Sequence, residues 1–141
     1  MFGGGRNSSS QPINVIDYVT IASAGNAVDF GNLTVSRHAL ASAADSTRGL
    51  FAGGAAGGDV IDYVTIATTG NATDFGDLSV SRSGLGGVGN GTNACFTGGY
   101  DNNGRSNIID KVVVQTLGNA TDHGDLTIAR NVGASASGAA S

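Results

Sequence analysis

Val15-Ile16-Asp17-Tyr18-Val19-Thr20-Ile21 recurs letter for letter as Val60-Ile61-Asp62-Tyr63-Val64-Thr65-Ile66, and loosely as Ile108-Ile109-Asp110-Lys111-Val112-Val113-Val114. Apolar and polar residues alternate along the first two, the period of a half-buried β-strand. The repetition extends to both sides. Downstream, Gly25-Asn26-Ala27-Val28-Asp29-Phe30-Gly31-Asn32-Leu33 matches Gly70 to Leu78, and Gly118 to Leu126 follows with His123 in place of Phe. Each copy closes on an arginine, at Arg37, Arg82 and Arg130. Upstream, Phe2-Gly3-Gly4-Gly5, Phe51-Ala52-Gly53-Gly54 and Phe96-Thr97-Gly98-Gly99 form another recurring element. The chain is three copies of one unit of roughly 45 residues.

Residue type divides the unit into strands. After Arg37, His38-Ala39-Leu40-Ala41-Ser42-Ala43 is a run of small residues, followed by a polar turn at Asp45-Ser46-Thr47. Gly49-Leu50-Phe51-Ala52 comes next and ends at a Gly pair. Val60 to Ala67 alternates, Thr69-Gly70-Asn71 turns, and a last stretch ends in Leu78, Val80 and Arg82. Four short strands per unit predict a blade-like antiparallel sheet whose faces neighbouring units must cover. Asp29-Phe30-Gly31 and Asp74-Phe75-Gly76 spell a kinase metal-binding motif, but the other kinase motifs are missing and the recurrence reads as a structural turn.

Composition agrees with an all-β class. Gly is prominent at 24 residues while Trp is absent, so backbones must approach closely where few large side chains fill space. Seven Lys and Arg against eleven Asp and Glu leave no basic stripe for phosphates, which argues against nucleic-acid binding. One Cys makes no internal disulfide. Met1 to Ser8 lacks the apolar run of a signal peptide, and no segment is apolar enough for membrane insertion. The expectation is a soluble protein, cytoplasmic at synthesis, or a piece of something larger.

The order of a small-residue strand, an apolar strand ending in Gly-Gly, a variable loop, an Asp-Tyr strand and a Leu-containing strand ending in Arg resembles the kelch repeat. Gly53-Gly54 and Gly98-Gly99 match its doublet, and Arg37, Arg82 and Arg130 its terminal arginine. The usual Trp is lacking; Phe30, Phe75 and His123 come nearest to its role. The wording from Asp62 to Leu78 is also similar to Gly-rich repeats of tailed-phage structural proteins, those of marine phages and cyanophages especially. The resemblance covers nearly the whole chain. It implies a kelch-like β-propeller, with repeats at about 1–37, 38–82 and 83–130, and a virion location if the chain is phage-encoded.

Propellers close with four or more blades, so three repeats need a complement. In the repeat frame Met1 aligns with Leu50 and Cys95, and Ser141 with Arg48 and Asn93. Residues 131–141 thus read as the innermost strand of a blade whose other strands begin at Met1. Two completions are open. Two chains can join head to tail as a homo-oligomer, a dimer of six blades, or the chain is an excerpt of a longer propeller. The dimer is preferred.

The major length differences between repeats fall in one loop: Arg6–Asn14, Ala55–Asp59 and Tyr100–Asn107. Variable loops on one rim are where repeat proteins usually bind. The candidate binding-face residues are Arg6, Asn7, Gln11, Asp59, Tyr100, Asp101, Asn102, Asn103 and Arg105. Tyr18 and Tyr63 sit on strands and read as packing between blades, whereas Tyr100 follows a Gly pair and is the better sugar-stacking candidate. The arginines read as partners of aspartates such as Asp17, Asp62 or Asp110 rather than as an anion ring.

No metal site is expected. Asp74 with Asp77, and Asp122 with Asp125, offer fewer oxygens than the six to eight that Ca²⁺ takes, and read as Asx-type caps. The kelch-like galactose oxidase carries copper on Tyr and His with a Cys-linked Tyr. Here Cys95 falls in a strand expected to be buried, and His38 and His123 occupy non-equivalent positions. Sequons at Asn7, Asn32, Asn71, Asn90 and Asn119 carry little weight in a chain this rich in Asn, Ser and Thr. No catalytic residue or cofactor is expected. The functional expectation is a non-enzymatic structural or adhesive propeller, such as a tail-fibre or surface-decoration module engaging virion proteins or a host in attachment. The alternative is a lectin-like module for host-surface glycans, and a kelch-type oxidase comes third.

Overall fold

The computed structural model describes residues 1–131 and 133–137. It is all-β, and among the described residues there is no helix. Strands β1 (Phe2–Gly3), β2 (Val15–Tyr18) and β3 (Val28–Asn32) form a three-stranded antiparallel sheet in that order. Strands β4 (Ala41–Ala44), β5 (Arg48–Ala52), β6 (Val60–Thr65) and β7 (Thr73–Asp77) form a four-stranded antiparallel meander. The third sheet repeats it with β8 (Gly86–Gly89), β9 (Asn93–Thr97), β12 (Ile108–Val113) and β13 (Thr121–Asp125). Between β9 and β12 a small hairpin, β10 (Tyr100–Asp101) with β11 (Gly104–Arg105), forms in the longer loop. Among the described residues no helix is long and apolar enough to cross a membrane.

The core lies between sheets. Ile16, Phe30 and Leu33 of the first sheet unit pack with Phe51 and Val64 of the second. Ile61, Phe75 and Leu78 of the second share a cluster with Leu85, Phe96 and Val112 of the third. Burying each such side chain contributes about 1.5–3 kcal/mol, so much of the apolar stabilisation belongs to pairs of adjacent units. The first strands of the four-stranded sheets, β4 and β8, touch without pairing. Their smallness permits this approach: a Cβ on Gly87 would collide with the backbone of Ser42.

Several elements differ from the sequence expectation. The small-residue strand begins at Ala41 rather than His38, because His38 instead pairs with Ala55 as an isolated bridge. The Asp-Phe-Gly triplets lie within β3 and β7 rather than in turns. Gly31 and Gly76 have positive φ there, next to a register shift opposite Ile16/Asp17 and Ile61/Asp62. Leu78 to Arg82 falls after the strand it was expected to form. Residues 133–137 follow β8 without strand pairing, with Gly89 N–H donating to the Ser137 hydroxyl at 3.1 Å. The rest of the expected strand over 131–141, at residue 132 and residues 138–141, lies outside the described residues.

Candidate functional site

The Gly pairs end β5 and β9 with two consecutive left-handed residues, Gly53-Gly54 and Gly98-Gly99, which turns the chain into the variable loop. Their amides are held by the terminal arginine of the same unit: Gly54 N–H donates to Arg82 C=O, and Gly99 N–H to Arg130 C=O, both at 2.8 Å. Each loop therefore springs from the same fixed point, and its differing length alone changes its shape.

The candidate loop residues divide by what their side chains already do. The Asn7 carboxamide oxygen accepts from Ser9 and Gln11 N–H groups, each at 3.0 Å, and so shapes its own loop. The Asp101 carboxylate accepts from Asn103 N–H at 2.7 Å and closes the β10–β11 hairpin. Arg6 donates to Ser10 C=O at 2.9 Å and lies 2.9 Å from His38 Nε2. Arg105 Nε donates to the Asn131 side chain at 3.2 Å. Gln11, Asp59, Asn102 and Asn103 are exposed, as is Tyr100 at 48%. Tyr100, Asp101 and Asn102 line an open cleft of about 240 Å³ with Ala55, Ala56 and Ser83. The structure thus joins the second and third loops at one cleft, while the first loop does not line it.

Tyr18 and Tyr63 each meet a phenylalanine ring of their own sheet and pack against core clusters shared by adjacent sheets. Tyr18 meets Phe30 edge-on at 5.9 Å and Tyr63 meets Phe75 at 6.2 Å, with the Arg48 guanidinium 4.6 Å from the Tyr63 ring centroid. Phe30 and Phe75 are buried, whereas His123 at the equivalent place is exposed.

The aspartates of the Asp-Tyr strands carry the tightest electrostatics. Arg37 reaches Asp62 of the next unit at 3.0 Å, and Arg82 reaches Asp110 of the next unit at 2.5 Å, with all four side chains fully buried. Arg37 also donates to Val60 C=O at 2.7 Å and Phe51 C=O at 3.0 Å; Arg82 donates to Gly98 C=O at 2.7 Å and Ile108 C=O at 2.9 Å. Burial pulls the Arg37 pKa below its ordinary value, and the Asp62 carboxylate opposes that. Thr34 completes the first site by giving Asp62 its N–H at 3.1 Å and its hydroxyl at 2.6 Å. Ser79 gives Asp110 its N–H at 3.2 Å. Recurrence in the sequence pointed to arginine–aspartate pairing; only the fold shows that the aspartate belongs to the following unit.

The aspartates of the Asp-Phe-Gly and Asp-His-Gly triplets behave as local caps. Asp29, Asp74 and Asp122 each accept from the Gly N–H two residues on, at 3.2, 3.2 and 2.9 Å. Burial, then the Asp59 and Asp74 carboxylates, push the Asp77 carboxyl up. Among the described residues no group of three His, Cys, Asp or Glu is placed to hold a metal ion. Cys95 is half-buried in β9, and burial raises its thiol pKa despite Lys111 nearby. Comparison with protein-family models finds no family that matches the chain, and comparison with curated proteins finds no matching relative.

Proposed function

We propose that the chain is a non-enzymatic structural or adhesive β-propeller, each sheet unit a blade, acting as a virion component such as a tail-fibre or surface-decoration module. The observation that carries this reading is the contrast within each unit. Near-identical sheets are cross-linked by buried Arg37–Asp62 and Arg82–Asp110 pairs, while loops of different length leave them from equivalent Gly pairs. A rigid frame with variable, exposed loops suits display. Contact between the small inner strands β4 and β8 supports the blade reading, since propeller blades crowd toward an axis. Repeats beyond these three complete the ring, from a second chain or from further blades.

A lectin-like function is the second reading, favoured by exposed Tyr100 beside Asp101 and Asn102 at the open cleft. A glycan array separates the two. The structural reading expects no glycan to be retained; specific retention that Tyr100→Ala abolishes would assign the lectin-like function instead. Stoichiometric copper in the purified protein would overturn the non-enzymatic reading.

A further inference from the structure

We propose that the two end faces of the three-unit stack bind each other between two copies of this chain, head to tail, with Arg130 of one copy pairing with Asp17 of the other. This rests on reading the units as blades and names the partner that completes them. The interface between units occurs twice within the chain, and its parts occur a third time as two unmatched halves.

One half is on the third unit. Arg130 keeps the backbone position of its equivalents: its N–H donates to Ser106 C=O at 3.1 Å, as Arg37 donates to Ile13 at 3.1 Å and Arg82 to Gly58 at 3.2 Å. Yet its side chain is exposed where theirs are buried. Thr127 stands where Thr34 and Ser79 serve the aspartate. Gly76, with φ of 143°, is packed against the Gly118 carbonyl of the next unit; Gly124, with φ of 121°, has the same left-handed backbone and open space beside it. The Phe30 and Phe75 carbonyls accept from Gly70 and Gly118 of the next unit, at 2.7 and 2.8 Å, leaving the His123 carbonyl for the next such glycine.

The other half is on the first unit. Asp17 is partly exposed, while Asp62 and Asp110 are fully buried. Gly25 occupies the position of Gly70 and Gly118 and has nothing beside it. Phe2 is 64% exposed, whereas its equivalents Phe51 and Phe96 are buried at 4% and 0%. The inner strands add a further fit. Ala134-Ser135-Ala136-Ser137 corresponds to β4 in the repeat frame and already runs beside β8. With the register of β4 on β5, where Ala41 faces Ala52 and Ser42 faces Phe51, Ala134 would face Gly3 and Ser135 would face Phe2 of the partner. Unlike faces that meet head to tail form a ring when the rotation closes, and two copies of three units make six.

Native mass spectrometry at micromolar concentration tests this with the full chain. The wild type is expected at twice 13.8 kDa. Arg130→Asp and Asp17→Arg are each expected to weaken dimerisation at least about 100-fold, because reversal places like charges in a desolvated contact. An equimolar mixture of the two variants should recover a heterodimer, since it contains one native Arg130–Asp17 contact and one reversed pair. Circular dichroism checks that each variant keeps its sheets, which the internal interfaces hold without either residue. A wild-type monomer, a dimer indifferent to both reversals, or a mixture that stays monomeric while each variant keeps its sheets would overturn the proposal. A wild-type monomer with an intact β-sheet spectrum would overturn only this pairing; the display reading fails separately, on the glycan array and the copper content.

Discussion

At the scale of single residues, the buried arginine–aspartate pairs cross-link successive units. Removing one partner strands the other charge without water, so Arg37→Ala or Asp62→Ala should cost about 3–5 kcal/mol of stability. Replacing both by apolar residues of similar volume should cost far less, and urea unfolding of the single and double variants measures the difference. The glycines of the Asp-Phe-Gly triplets give a second contrast. Gly76→Ala places a Cβ 2.5 Å from the Gly118 backbone and should destabilise the fold by about 1–3 kcal/mol, beyond the strain of its positive φ. Gly124→Ala carries the same positive-φ strain but meets nothing among the described residues, so it should cost the fold less than Gly76→Ala and weaken dimerisation in addition. Thermal melts and light scattering on the two variants read those effects apart.

At the scale of elements, the β4–β5 turn is tied to the neighbouring sheet by one side chain. Gln115 donates to the Asp45 carboxylate at 2.6 Å and lies 2.7 Å from the Thr47 hydroxyl. Burial pushes the Asp45 carboxyl up, but hydrogen bonds from Arg48 N–H, Gln115 and Thr47 outweigh it and bring the pKa down to about 2. A depressed carboxyl pKa stabilises the fold above the unfolded value near 3.8, and that contribution is lost as pH falls through about 2. Gln115→Ala should therefore raise the Asp45 pKa, as measured by NMR titration of its carboxyl carbon, and leave the native fold intact at neutral pH. The four-stranded meander of the second and third sheets was legible in the sequence because alternation and turn residues recur. The outer strands were misplaced for a physical reason. Gly31 and Gly76 read locally as turn residues, whereas their lack of a Cβ serves the approach of Gly70 and Gly118 from the next unit. The β10–β11 hairpin gave little local signal beyond Asp101 and Gly104, and the loop candidates Asn7 and Asp101 each accept N–H groups of their own turns.

At the scale of the whole molecule, the proposed dimer requires the three sheets to form an arc whose ends match. The repeat frame raises the expectation of a ring to be completed, but does not name the groups that would join it: those emerge only when Arg130, Gly124, Asp17 and Phe2 are compared with their buried equivalents. A crystal structure of the purified chain tests this most directly. The proposed dimer predicts six sheets around one axis, related by a two-fold, with the Arg130 guanidinium within hydrogen-bonding distance of Asp17 of the partner subunit. Three sheets in an open arc, with Arg130 and Asp17 both in solvent, would contradict it.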